Sequence, residues 1–416
     1  MVCSTQQGGL LMRTGKAVMW TLTALLITGG VLVFFFMIYS NGMGGSEMIF
    51  GRGELFSVND IREFDLGSIS RIEIAVSGSD TSLTATDSQK VRASLTGSIR
   101  ASDPSFIPYI DARVDGSVLR IEVITKPFMF LDIFSSEVKL QVEIPGAFSG
   151  DLVFNGTSGR LTASSLKLNS CSLNTSSGDI TLGSMDVSNG FTAGATSGRI
   201  KLERLQAGDA MFNTSSGDLI LGDLEIRNDF SAGASSGKIN IDRLSAANAS
   251  LKDSSGDKKI AAMSVSGEAV LEGTSGLTSL DRVSAEKLVI HSTSGDARVG
   301  SAQTGHTAVR TSSGSISVRG FEGNADLSSS SGSITLICDR PASNIVMECN
   351  SGSINLGLPA SAQFSLDALT NSGSIKSDFA LDLSQAGEKQ LRGSTGNGEL
   401  YISLKTTSGS ITVSRN

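Results

Sequence analysis

Apolar residues along most of this chain come in pairs spaced by two, and the pairs return every 19 or 20 residues. The clearest set is Ile180/Leu182, Ile200/Leu202, Leu219/Leu221, Ile239/Ile241, Ile316/Val318, Ile334/Leu336, Ile354/Leu356 and Ile411/Val413. A second set follows each of these at Met185/Val187, Leu224/Ile226 and Met263/Val265. A third precedes them at Phe230/Ala232, Leu288/Ile290 and Ile345/Met347. Polar residues or glycine separate the members of each pair. A period of two is that of a strand with one row of side chains turned inward. Three such strands per repeat describe one turn of a parallel β-helix, a solenoid in which each repeat contacts its neighbours.

Ser-Gly falls at a constant phase in this pattern. Its glycines are Gly159, Gly178, Gly198, Gly217, Gly237, Gly256, Gly276, Gly295, Gly314, Gly332, Gly352 and Gly373, with a last one at Gly409. The steps from Gly159 to Gly373 are 19, 20, 19, 20, 19, 20, 19, 19, 18, 20 and 21 residues. Each pair reads as a corner between strands, where glycine permits a backbone angle closed to other residues. Lys258, Thr278 and Ser377 stand where apolar residues are expected and mark local irregularities. The repeats predict an all-β fold with about 12–13 turns over residues 148–416.

A weaker period of 39 residues lies over the first. The residue after the corner glycine runs Arg160, Asp179, Arg199, Asp218, Lys238, Asp257, Leu277 and Asp296, then Ser315, Ser333, Ser353 and Ser374. A second row alternates Asn174, Gly194, Asn213 and Gly233. Equivalent positions on stacked turns lie about 4.8 Å apart. Alternating signs there predict a charge ladder of Arg160, Asp179, Arg199, Asp218, Lys238, Asp257 and Asp296, in which opposite charges attract by roughly 0.2–1 kcal/mol per pair. The double period also suggests growth by duplication of a two-turn unit.

The beginning of the chain is of another kind. Ala17 to Tyr39 is a run of 23 residues without a charge, preceded by Arg13 and Lys16. At 1.5 Å per residue it spans about 34 Å, enough for a bilayer core of roughly 30 Å. The basic flank places residues 1–16 in the cytoplasm and the rest outside. A cleaved signal peptide is the competing reading. The run exceeds the usual signal length, and Tyr39-Ser40-Asn41-Gly42 is no small-x-small cleavage site, so an uncleaved anchor over 17–39 is expected. Residues 40–56 read as a Gly-rich tether. Residues 57–147 are strand-rich but lack the period, and they suit a cap over the solenoid's open strand edges. Within them Pro127–Phe134 is unusually apolar, either a buried cap segment or an exposed hydrophobic loop.

Composition narrows the partners. The net charge is −7 with no basic run, which excludes nucleic acid. Aromatics are 5%, few for an aromatic-lined pocket or a sugar-binding groove. Four cysteines make no disulfide framework. Cys171 and Cys349 fall on inward positions as small core residues, and a Cys338–Cys349 bridge is a minor alternative.

The strand-rich lead-in, the Val142-Glu143-Ile144-Pro145 segment and the repeated units of the form Thr175-Ser176-Ser177-Gly178-Asp179-Ile180-Thr181-Leu182 resemble a bacterial adhesin-like family of β-strand-repeat proteins, a domain family of unknown function. The resemblance covers roughly residues 57–416. It implies a β-helix in a bacterial envelope, often behind a membrane anchor, and it carries over no catalytic residues. The length of this chain and its charge row depart from many members.

Direct signs of chemistry are few. His291 and His306, the two histidines, have no Cys or His at metal-ligand spacing and read as surface residues, His306 in a turn. The Asp residues do not follow the Gly-Gly-x-Gly-x-Asp nonapeptide of calcium-binding β-rolls. Thr-Ser-Gly corners are not nucleophile elbows. No cofactor and no catalysis are expected. The sequence therefore predicts a single-pass membrane protein with an extracytoplasmic solenoid. Its role would be a binding or adhesion-like scaffold for an envelope protein or glycan. The alternative is an envelope-stress sensor acting through a membrane partner, and a carbohydrate-active β-helix enzyme is a distant third.

Overall fold

The inward pairs all lie against one continuous core. The computed structural model describes residues 53–126 and 133–416. Every apolar pair named above is buried. The strands stack in parallel and in register, so that Ile180, Ile200, Leu219 and Ile239 form one inner column and Met185, Leu205, Leu224 and Leu244 another. A one-residue slip would turn each apolar row to solvent, and this holds the register. Among the described residues the only helical element is a short 3₁₀ turn at Pro104–Phe106.

The corners need glycine for a reason other than the one the sequence suggested. Among the corner glycines only Gly276 has a left-handed backbone, at φ +97°. Elsewhere the constraint is closeness. A Cβ on Gly178, Gly198, Gly217 or Gly237 would collide with the carbonyl oxygen of the preceding corner glycine. Eleven corners from Gly159 to Gly352 succeed one another in chain order and enclose ten turns. This is fewer than the expected 12–13; the two further corners, Gly409 and Gly373, stack beyond Gly352 in reversed chain order.

Side-chain size explains part of the double period. One inner column reads Phe191, Ala210, Phe230, and the column beside it reads Ala193, Phe212, Ala232. Turns stacked at sheet spacing leave no room for phenylalanine at both positions of every level, so large and small residues alternate diagonally. The rings meet at centroid distances of 5.3 Å (Phe191–Phe212) and 6.0 Å (Phe212–Phe230). The Asn/Gly row has a parallel cause. A Cβ at Gly194 or Gly233 would come within 2.8 Å of the Oδ1 of Asn174 or Asn213, whose amides lie over the next turn's glycine.

Both ends abandon chain order. Strands Arg71–Val76 and Asp80–Thr86 form a turn that pairs on one side with Asp151–Gly156 and Leu161–Ala163. On its other side lie the later strands Val118–Ile124 and Ile133–Pro145. Antiparallel strands then close that end: Tyr109–Asp115 on Val118–Ile124, Lys90–Ala101 on Ile133–Pro145, and Glu54–Asp65 on Lys90–Ala101. At the other end the last strands, Leu400–Thr406 and Ile411–Arg415, lie inside. They are flanked by Ile334–Cys349 and Ile354–Leu358 on one side and by Phe364–Thr370 and Ile375–Ser377 on the other. Gln390–Thr395 and Asp382–Ala386 add antiparallel strands beyond.

The apolar run at 17–39 and residues 127–132 of the Pro127–Phe134 segment fall outside the described residues. Among the described residues no helix is long and apolar enough to cross a membrane.

Candidate functional site

The residues after the corners form a column, one per turn, joined by hydrogen bonds of the backbone. Their backbones are linked turn to turn: the N–H of Leu161 donates to the carbonyl of Asp179, that of Ile180 to Arg199, that of Ile200 to Asp218 and that of Leu219 to Lys238. The carboxylates have a separate task. Asp179 Oδ1 accepts from the backbone N–H of Arg199 at 2.8 Å, Asp218 from Lys238 at 3.0 Å, Asp257 from Leu277 at 2.9 Å and Asp296 from Ser315 at 2.9 Å. Asp80 does the same for Arg160 at 2.9 Å. Among the described residues no ion pair joins consecutive members of the row. The basic residues of the row stand on the alternate turns, where the position supplies the backbone N–H that donates and needs no carboxylate of its own. This also explains why Leu277 can replace a cation. Farther on, Ser333 Oγ accepts from the N–H of Ser353 at 3.3 Å.

Ion pairs between turns occur elsewhere. Asp223 lies between Arg204 and Arg243 at 3.9 and 3.2 Å, Lys252 meets Glu272 at 2.9 Å, and Lys287 meets Glu268 at 2.8 Å. All are at least partly exposed, and such pairs contribute about 0–1 kcal/mol each.

Beneath the corners runs an inner polar column that the sequence reading missed. Three residues before the glycine, an inward hydroxyl often closes the corner. Thr175, Thr214, Ser292, Thr311 and Ser329 each accept a hydrogen bond from the N–H of their own corner glycine, at 2.8–3.1 Å. At one level this column holds Asp253. Lys258, an irregularity in the sequence pattern, reaches across the same corner, and its Nζ lies 2.8 Å from Asp253 Oδ2. Both side chains are buried, at 1% and 0% exposure. Burial raises the Asp253 carboxyl above the ordinary carboxylate range, against the opposing pull of Lys258. The signal was available: Asp253 has the same phase as Thr175 and Thr214.

The remaining candidates are structural. Cys171, Cys338 and Cys349 are buried and free, so Cys338 and Cys349 do not pair. Burial pushes the Cys338 thiol up to about 12 and raises the other two. His291 is exposed. His306 lies in strand Ala302–Thr311 and not in a turn, with Lys287 and Asn324 beside it on the neighbouring turns. Among the described residues no group of three or more His, Cys, Asp or Glu could hold a metal ion. An open groove of about 340 Å³ runs beside Ile144, Pro145, Leu166 and Met185.

An in-register stack of short strands with glycine corners and side-chain-sealed turns defines a parallel β-solenoid of the repeat type. The sequence matches the profile described as Toastrack DUF4097 over residues 69–193, 186–276 and 266–414, and the chain belongs to that family. No match is found among curated proteins. Similar solved structures include a candidate cell adhesion protein from Clostridium sporogenes, 8% identical, covering 87% of this chain and 100% of that one, with a TM-score of 0.25. A candidate adhesin from Bacteroides fragilis is 14% identical over 59% of this chain and 96% of that one, with a TM-score of 0.37.

Proposed function

We propose that this chain is a non-catalytic, adhesin-like binding scaffold. In this reading a single helix over residues 17–39 anchors it in a bacterial membrane, and the solenoid stands outside and presents a face to an envelope protein or glycan. The observation that carries the non-catalytic part is the state of the corner carboxylates. Asp179, Asp218, Asp257 and Asp296 are the residues a solenoid enzyme would gather for acid–base work, and each is engaged by a backbone N–H of the next turn. A carboxylate oxygen committed to that structural bond is turned along the stack and not toward a substrate proton. The anchor rests on the uncharged run and on the Arg13/Lys16 flank.

Protease added to intact spheroplasts tests the topology: the solenoid should be degraded while the cytoplasmic tail is spared. Digestion only after lysis would overturn the orientation. Full-length protein in detergent should then co-sediment with isolated envelope polymers or be retained by an envelope membrane protein. Hydrolysis of such a polymer, with release of reducing ends, would replace the scaffold reading with an enzymatic one.

A further inference from the structure

The turn cornered by Gly256 breaks its neighbours' inward pattern at several positions at once. Asp253 stands in a column otherwise occupied by residues such as Ala234 and Thr214, and Lys258 in one occupied by Ile239 and Leu219. The following turn makes room for both. Gly273 succeeds Asp253 in its column, and a Cβ there would lie 2.6 Å from Lys258 Nζ and 2.8 Å from Asp253 Oδ1. Thr278 succeeds Lys258, and Gly276 is the one corner with a left-handed backbone. Five departures at one spot make a built site and not a stray charge.

The site suits ions poorly. Lys258 has one polar partner among the described residues, so two ammonium protons are left over. Neither Asp253 oxygen completes a well-directed hydrogen bond, although Nζ is only 2.8 Å away. Desolvating two charges is offset only when their remaining donors and acceptors are also satisfied. Proton transfer from Nζ to the carboxylate removes both poorly satisfied charges and turns the pair into an amine facing a carboxylic acid. Held in contact and away from water, the two are nucleophile and electrophile at high effective concentration.

We propose that Lys258 and Asp253 condense into an intramolecular amide. The Nζ lone pair attacks Cγ, the new Nζ–Cγ bond forms and the Cγ–OH bond breaks. The hydroxyl leaves with one Nζ proton as water, and nothing is oxidised or reduced. The product carries no charge and leaves one N–H and one C=O where two ions stood. It also seals a corner in which Gly256 lacks, among the described residues, the hydroxyl bond that closes its counterparts at Gly217 and Gly295. The link spans the corner from inside and makes this turn a covalent staple in an otherwise non-covalent rod.

Tryptic mass spectrometry of the denatured full-length protein decides the matter. Unmodified chain is cut after Lys252 and Lys258. The amide blocks the second cut and yields the peptide Asp253–Lys259 lighter by one water. A cyclic imide at an aspartate would also lose water, but it would leave cleavage after Lys258 intact and would persist in Lys258→Met. The expected result is the uncut, lighter peptide in the wild type and no water loss at Asp253 in Lys258→Met. Wild-type peptide of unmodified mass, cleavage after Lys258, or water loss that survives Lys258→Met would each overturn the proposal. The wild-type measurement stands alone if the variant fails to fold.

Discussion

The middle of the solenoid and its two ends solve the same problem differently. From Gly159 to Gly352 each turn sits on the one made just before it, and all the pairing is parallel. At both ends a turn is inserted out of order, and antiparallel strands lie beyond it. The middle can rely on repetition because every turn has a neighbour on each side. An end has a row of unpaired backbone groups, and repetition only moves that row along. The unrelated sequences at the two ends show that what recurs is the device: reverse the chain, tuck one turn inside, and finish in antiparallel strands that do not continue the parallel stack.

The largest expected effect separates the buried middle from the outermost strand. Leu221 is 1% exposed, while Leu383, in the strand Asp382–Ala386, is 53% exposed. Leu221→Asp should cost at least ~3 kcal/mol in chemical denaturation, and Leu383→Asp should stay within about 0.5 kcal/mol. Equal losses would erase the distinction.

Lys258→Met probes the one charged level within the middle. It strips Asp253 of its partner and should cost roughly 3–5 kcal/mol at neutral pH. Burial then acts unopposed on the carboxyl, so its folded pKa is raised above the unfolded one. Folding takes up a proton, and the stability this contributes is fully present below the ordinary carboxylate range and lost as pH rises through the folded pKa. Denaturation midpoints of the variant that rise from acid to neutral pH would contradict this environment.

Gly198→Ala, which drives a methyl into the carbonyl of Gly178, should cost ~1–3 kcal/mol. Gly190→Ala, with open space around the new methyl, should be nearly neutral. Asp218→Ala deletes one side-chain-to-backbone bond and should cost about 1 kcal/mol, with little dependence on salt. Arg199→Ala in the same row should change stability by less than about 0.5 kcal/mol. A loss at Arg199 that shrinks with salt would restore the charge-pairing account of the row.

The regular middle was legible because its signal is local and repeated. An inward pair such as Leu219/Leu221 carries its own phase, and the corner glycine marks each level. The same uniformity hid the ends. Ile354, Ile375 and Ile411 are equally good partners for one another, so periodicity cannot say which lies beside which. The only hint was the gap between Gly373 and Gly409, far longer than one repeat. The row after the corners was visible as alternating sign, but its cause is a hydrogen bond from the next turn's backbone, which a charge pattern does not encode. Lys258 stood out as an exception. Asp253 did not, since an acidic residue near a corner passes for solvent-facing until the inward hydroxyl column is known.

The inverted end has a consequence in time. Turns from Gly159 to Gly352 can add one after another as the chain emerges, each closing a short loop onto the last. The strands from Phe364 to Ser377 cannot take their final place that way, because the turn that belongs beneath them, Leu400–Arg415, has yet to be made. This end of the solenoid must therefore wait for residues 400–415, with the strands from Phe364 to Ser377 held open, and closes by insertion instead of addition. A loop of greater span has to close before any contact rewards it, so this is the step most exposed to delay and to mispairing with another chain. The turn Leu400–Arg415 acts as a completion check: a chain that stops before it would keep a sound middle and an unfinished, adhesive end.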